Sequence, residues 1–162
     1  MERLWSPWRM EYIESAKDEA GGCVFCELLE DGDEAASRVL ERTELAFVAL
    51  AKYPYNPGHL LLLPVRHVDD LEGMTDEENA EVARLLQRSL RALRGTAEPQ
   101  GFNVGLNLGR VAGAGIPEHL HWHVVPRWSG DTNFMPVIGQ TRVLPELLDE
   151  TFEKLRPLFA EG

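Results

Sequence analysis

The sequence predicts an α+β domain, an antiparallel sheet of about five strands with one long central helix and a C-terminal helix. Three observations lead there. The chain has 162 residues, a length that fits one domain with a proper core. Short apolar segments are separated by Pro/Gly-rich connections, as strands are. Two stretches, one mid-chain and one near the end, repeat their leucines at helical spacing.

The elements follow in order. Residues 1–22 carry Trp5 and Trp8, end at Gly21-Gly22 and read as an N-terminal arm, leaving 23–162 as a single domain. A short helix fits Val24, Phe25, Leu28 and Leu29, and it runs into the turn Asp31-Gly32-Asp33. Extended segments are predicted over 36–41 and 45–51, the second with Leu45, Phe47, Val48 and Leu50. Tyr53-Pro54-Tyr55-Asn56-Pro57-Gly58 must be a connection, because its prolines and glycine forbid a regular element. A strand follows from His59 to Val65. Thr75-Asp76-Glu77-Glu78 is a capping box, and Val82, Leu85, Leu86, Leu90 and Leu93 recur after it up to Gly95. Two further strands are predicted near Phe102–Leu108 and Leu120–Pro126, joined by the glycine-rich stretch Gly109 to Gly115. The last helix starts at Pro145, a suitable first-turn residue, and carries Leu147, Leu148, Phe152, Leu155 and Leu158.

Composition narrows the function classes. An apolar fraction of 44% with 27% charged residues describes a globular chain rather than a disordered one. The longest apolar run, Leu60 to Leu63, is far too short to span a bilayer. The opening residues lack an apolar h-region with a cleavage site, so the expected location is cytoplasmic. A net charge of −11 argues against a broad nucleic-acid footprint. A small anionic ligand is still compatible, because a few local donors suffice to hold it. The only cysteines, Cys23 and Cys26, have a spacing that suits a metal knuckle or a redox pair. No thioredoxin-like pattern frames them.

The decisive stretch is Glu118-His119-Leu120-His121-Trp122-His123-Val124-Val125-Pro126. In a strand, alternate side chains share a face. His119, His121 and His123 are therefore expected on one surface, with Leu120, Trp122 and Val124 entering the core. The alternative is a metal patch or three unrelated surface histidines. A row of imidazoles offers a nucleophile, a proton donor and phosphate hydrogen bonds together, with a reference pKa of about 6.5.

This stretch resembles the histidine-triad family, whose signature is His-φ-His-φ-His-φ-φ with φ hydrophobic; His119 to Val125 matches at every position. The resemblance runs from about Cys23 to Ile138. It is closer to the bacterial branch that includes diadenosine tetraphosphate phosphorylases. The similar stretches are Tyr53 to His59, Gly101 to Asn107, Val125-Pro126-Arg127-Trp128 through Asn133-Phe134, and the opening Leu4 to Arg9.

The resemblance implies that His121 is the nucleophile and forms a covalent nucleotidyl-imidazole, later cleaved by water or phosphate. It implies that His123 holds and protonates phosphates, and that His59, the family's fourth histidine, supports the triad. Without the resemblance His59 reads as a structural residue. Asn107 falls where the family has an amide contacting phosphate or the leaving group, and Asn103 and Gly105 share its predicted face. A strand-end cap is the alternative for Asn103. The glycine-rich turn, through Gly115 and Ile116, can bring backbone N–H groups to a phosphate. Two positions depart from the family pattern. Ala51 stands where an Asn or Asp usually bonds the ribose hydroxyls, and Gly115-Ile116-Pro117 replaces a Ser or Thr before the triad.

The resemblance also implies zinc bound by Cys23, Cys26, His67 and His119, a Cys₂His₂ set of the structural kind. The alternative is two reduced thiols and an exposed His67. The implied activity is nucleotidyl hydrolysis or transfer on dinucleoside polyphosphates. A purine-nucleoside phosphoramidase and a non-catalytic nucleotide-binding protein are the alternatives. The family commonly forms homodimers joined edge to edge.

Overall fold

The computed structural model describes residues 22–30, 37–131 and 144–160. Apart from Gly22, the predicted N-terminal arm with Trp5 and Trp8 lies outside the described residues. So do the turn Asp31-Gly32-Asp33 and the stretch containing Asn133, Phe134 and Ile138.

The expected architecture is present. Strands β1 (Val39–Arg42), β2 (Ala46–Leu50), β3 (Leu60–Pro64), β4 (Gly101–Leu106) and β5 (Trp122–Arg127) form one sheet. Its order is β1-β2-β3-β5-β4, and all neighbours are antiparallel. The helices are α1 (Val24–Glu30), α2 (Asp76–Ala97) and α3 (Leu148–Ala160), and no described helix is long and apolar enough to cross a membrane.

Alternation along β2 explains how the sheet is covered. Val48 and Leu50 join Leu60, Leu62 and Val124 in a core built against Leu85 and Leu93 of α2 and Phe152 and Leu155 of α3. Phe47 and Ala49 face the other way, packing with Leu63, Val39, Ile116 and Phe25 of α1. Every residue of β2 is therefore buried. His123, paired with Leu61 and Gly105, falls on the α1 face.

Some boundaries differ from expectation. Helix α2 runs past Gly95 to Ala97 and ends at Glu98, whose φ of 45° is left-handed. Helix α3 starts at Leu148 rather than Pro145, and Glu146 just before it accepts the Thr151 hydroxyl and pairs with Lys154. Val104 is 44% exposed because β4 is an edge strand. Strand β5 begins only at Trp122. His119 and His121 precede it, and the Leu120 N–H leaves the ladder to donate to the Val68 carbonyl at 2.7 Å.

The capping box of α2 forms as predicted and does more than cap. The Thr75 hydroxyl accepts from the Glu78 N–H, and Glu78 Oε2 accepts from the Thr75 N–H at 2.9 Å. The same carboxylate receives both Nε (2.9 Å) and Nη2 (2.7 Å) of Arg66, just beyond β3. The start of α2 is thereby tied to the segment carrying His67. Arg66 holds the buried Glu78 carboxyl below the usual carboxylate range, against the opposing effect of burial. A lowered carboxyl pKa contributes stability above its unfolded value of about 4.3 and loses it as pH falls through the folded value. Thr75→Ala should cost about 1 kcal/mol in urea unfolding at neutral pH. Arg66→Ala should also lower stability, because it strips a buried carboxylate of its charged donor. The Arg66 loss should shrink in acid below the ordinary carboxylate range; a pH-independent loss would exclude the ion pair as its source.

Candidate active site

The loop before β3 sets the first histidine. Gly58 adopts a φ of +73°, and a Cβ there would meet Leu93 at 2.9 Å, so glycine is required on both counts. His59 follows, fully buried, and the loop closes through the Ala51 N–H donating to the His59 carbonyl at 2.9 Å. The Tyr55 N–H donates to His59 Nδ1 at 3.1 Å, and the Tyr55 ring stacks on the His59 imidazole with centroids 5.0 Å apart.

That backbone bond fixes protons farther along. With Nδ1 of His59 accepting, the neutral ring carries its proton on Nε2. This Nε2 lies 3.0 Å from His123 Nδ1 and donates to it. His123 Nδ1 is thus an acceptor, and its remaining proton sits on Nε2. His121 is set in the opposite sense. Its Nδ1 lies 2.9 Å from the His119 carbonyl, which can only accept, so Nδ1 carries the proton and Nε2 keeps a lone pair. Burial holds the His121 pKa below the ordinary histidine value, favouring that neutral form. The His121 and His123 ring centroids are 5.0 Å apart.

His119 lies three residues before β5, and its ring has partners of its own. The ring meets α1 at Phe25 and at the cysteines beside it. The Phe25 ring lies 5.6 Å from His119 and 5.2 Å from His121. His119 Nε2 donates to the Pro64 carbonyl at 3.0 Å, which leaves Nδ1 as a lone-pair donor. That atom is 3.3 Å from Cys23 Sγ and 3.6 Å from Cys26 Sγ, and Cys26 Sγ is 3.4 Å from His67 Nδ1. The four ligand atoms lie within 4.8 Å of one another. Zinc–sulfur and zinc–nitrogen bond lengths give a tetrahedron edges of about 3.3–3.8 Å, so the spacings suit one ion. Without a cation, burial and the neighbouring Cys23 thiol push the Cys26 thiol up to about 11. Cys23, Cys26, His67 and His119 form a cluster able to hold a metal.

A cleft of about 410 Å³ opens beside His123, bordered by Tyr55, Asn103, Gly105, Asn107, Val125 and Arg127 among others. Asn107 lines it, with Nδ2 3.5 Å from the Gly113 carbonyl, while Asn103 Oδ1 accepts from Arg127 Nη1 at 2.6 Å. Ile116 buries its side chain in the α1-side core, so only its backbone can meet a ligand, as is the case for the half-buried Gly115. Ala51 is buried and offers no side-chain acceptor for a ribose.

Several residues that shape the site were invisible to spacing. Asp131 accepts from Arg127 Nε and Nη2 at 2.5 and 2.8 Å, from the Trp128 N–H, and from Asn56 Nδ2 at 2.8 Å. Asn56 Nδ2 also donates to the Pro126 carbonyl. This network fastens the Tyr53–Gly58 loop to the end of β5. Arginine holds the Asp131 carboxyl well below the usual carboxylate range. The only sequence signal for the network was the similarity of both stretches to one bacterial branch.

Comparisons with known proteins agree with this geometry. AP-4-A phosphorylase of Mycobacterium tuberculosis is 44% identical over 158 residues, covering 93% of this chain and 80% of that protein. Adenosine 5'-monophosphoramidase hnt1 of Schizosaccharomyces pombe is 30% identical, covering 65% of this chain and 74% of that protein. Among solved structures, a zinc-bound histidine triad family protein from Mycobacterium smegmatis superposes with a TM-score of 0.68 and 29% identity, covering 86% of this chain and 94% of that one. The sequence profile of the HIT domain matches residues 33–130, a span that holds all five histidines. With the fold, the histidines and this match in agreement, the chain belongs to the HIT domain family.

Proposed function

We propose that this protein cleaves dinucleoside polyphosphates of the diadenosine tetraphosphate kind, as a nucleotidyl hydrolase or transferase that forms a nucleotidyl-His121 intermediate. The observation that carries the reading is the opposed proton placement on two adjacent rings. His121 presents a bare Nε2, and His123 presents a protonated one. His121 Nε2 attacks the α-phosphorus, the bond to the leaving oxygen breaks, and that oxygen departs as a phosphate anion that accepts a hydrogen bond from the His123 Nε2–H. In the second half, water or phosphate attacks the phosphorus, the bond to His121 Nε2 breaks and His121 leaves as the neutral imidazole, any proton of the attacking water passing to solvent. His59 acts by holding the His123 tautomer. Asn107, Asn103 and the backbone of Gly115 and Ile116 are the proposed nucleotide contacts. The relationship to the M. tuberculosis phosphorylase supports this substrate class.

Cys23, Cys26, His67 and His119 are the proposed zinc ligands. Zinc there would be structural, fixing His119, whose carbonyl in turn orients His121. The protein is further proposed to be a cytoplasmic homodimer joined through the β4 edge. α3 packs beside β1, whereas β4 is the other edge strand and, among the described residues, pairs only with β5 and exposes Val104. A second reading, cleavage of a nucleoside phosphoramidate, is favoured by the S. pombe relative.

Incubation with diadenosine tetraphosphate should yield ADP and ATP when phosphate is present if the acceptor is phosphate, or AMP and ATP if it is water. Turnover of an adenosine phosphoramidate alone would move the assignment to the second reading. No turnover of either, with the nucleotide bound, would reduce the protein to a binding role.

A further inference from the structure

We infer that the cleft beside His123 receives the leaving half of the substrate, a polyphosphate-linked nucleotide, and that Arg127 and Asn103 hold its far end. The inference rests on the proposed nucleotidyl transfer to His121 and adds a direction to it. In-line displacement sets the attacking and leaving atoms on opposite sides of the phosphorus. His121 packs against Phe25 and does not border the cleft, whereas His123, whose Nε2–H donates a hydrogen bond to the leaving oxygen, does. Everything beyond the leaving oxygen is therefore directed away from His121 and into the cleft.

The cleft has room and length for such a group. His123, Val125 and Arg127 alternate along one face of β5, so its floor extends about 13 Å at ordinary strand rise. On the neighbouring strand Gly105 stands opposite His123 and Asn103 opposite Val125. A Cβ at Gly105 would meet nothing within 4 Å, so the cleft is open beside His123. Its volume of about 410 Å³ lies within the range of small-ligand sites.

The far end presents donors. Arg127 spends three N–H groups on Asp131 and Asn103, which fixes the plane of its fork and leaves its other N–H groups for a ligand. Asn103 gives its oxygen to Arg127, so its amide N–H groups remain to donate. Guanidinium and amide donors together suit phosphate oxygens. Asp131 balances the arginine charge, so the end recognises by hydrogen bonds rather than by a net positive field. Tyr55 supplies an aromatic wall nearer His123.

A phosphoramidate of adenosine has no leaving half to place there, which gives the test. kcat/KM is measured for diadenosine tetraphosphate and for adenosine phosphoramidate with the wild type, Asn103→Leu and Arg127→Lys. Each variant should lower the ratio of the first substrate to the second by about tenfold or more, the effect of losing a hydrogen bond to a charged group. A ratio within about twofold of wild type in both variants would overturn the inference alone. Failure of the wild type to turn over either substrate would remove the catalytic reading and the inference with it.

Discussion

Replacing His121 with alanine is expected to lower turnover of diadenosine tetraphosphate by about 10⁴-fold or more, with folding preserved. No other imidazole can take over. His123 has one nitrogen occupied by His59 and the other protonated, and His119 directs its lone pair at the cysteines and its proton at Pro64. His121 is buried, so its loss should cost stability too, but only about 1–2 kcal/mol for one partly collapsing cavity. The comparison is steady-state kinetics beside a urea unfolding curve. Substantial residual activity in a folded variant would remove His121 from the nucleophile role.

The second large effect concerns the cluster between α1 and the triad. Changing both Cys23 and Cys26 to serine should abolish stoichiometric zinc and lower stability by about 4 kcal/mol, the linkage expected for an ion present at about a thousand times its Kd. For a domain of this size that is a fall of roughly 10 °C in Tm. Activity should drop as well, since the His119 carbonyl that receives the His121 proton belongs to a ligand residue. A chelator should reproduce the shift in the wild type and leave the double variant unmoved. Metal-free protein that is equally stable and equally active would reject the zinc assignment.

The sequence carried the architecture and the identity of the histidines further than it carried their arrangement. Strand and helix periodicity reflects burial, and burial is what β2, β3 and α2 are built on, so those elements appear where the pattern sets them. The alternation over His119–His123 reads as a strand for the same reason. The strand itself starts at Trp122 instead of Leu120, because a local bond, Leu120 N–H to Val68, competes with the ladder, and no side-chain pattern records a backbone partner. The same blindness hides the Tyr55 N–H, the His119 carbonyl and the Pro64 carbonyl, which together decide where each imidazole proton sits. Arg66–Glu78 and Arg127–Asp131 escaped too: each joins segments whose proximity only the folded chain creates, or occupies positions without periodic context. The cysteine pair was visible, while its two histidine partners came from likeness to relatives rather than from spacing. Its ring geometry was legible only after folding.

The sharpest measurement is a rapid quench of wild-type protein with diadenosine tetraphosphate, followed by intact-mass analysis and peptide mapping under conditions that preserve a phosphorus–nitrogen bond. The account predicts a transient mass increase of one adenylyl group, located on His121 and missing from the His121→Ala protein. Turnover without any adduct, or an adduct on a different residue, would contradict it.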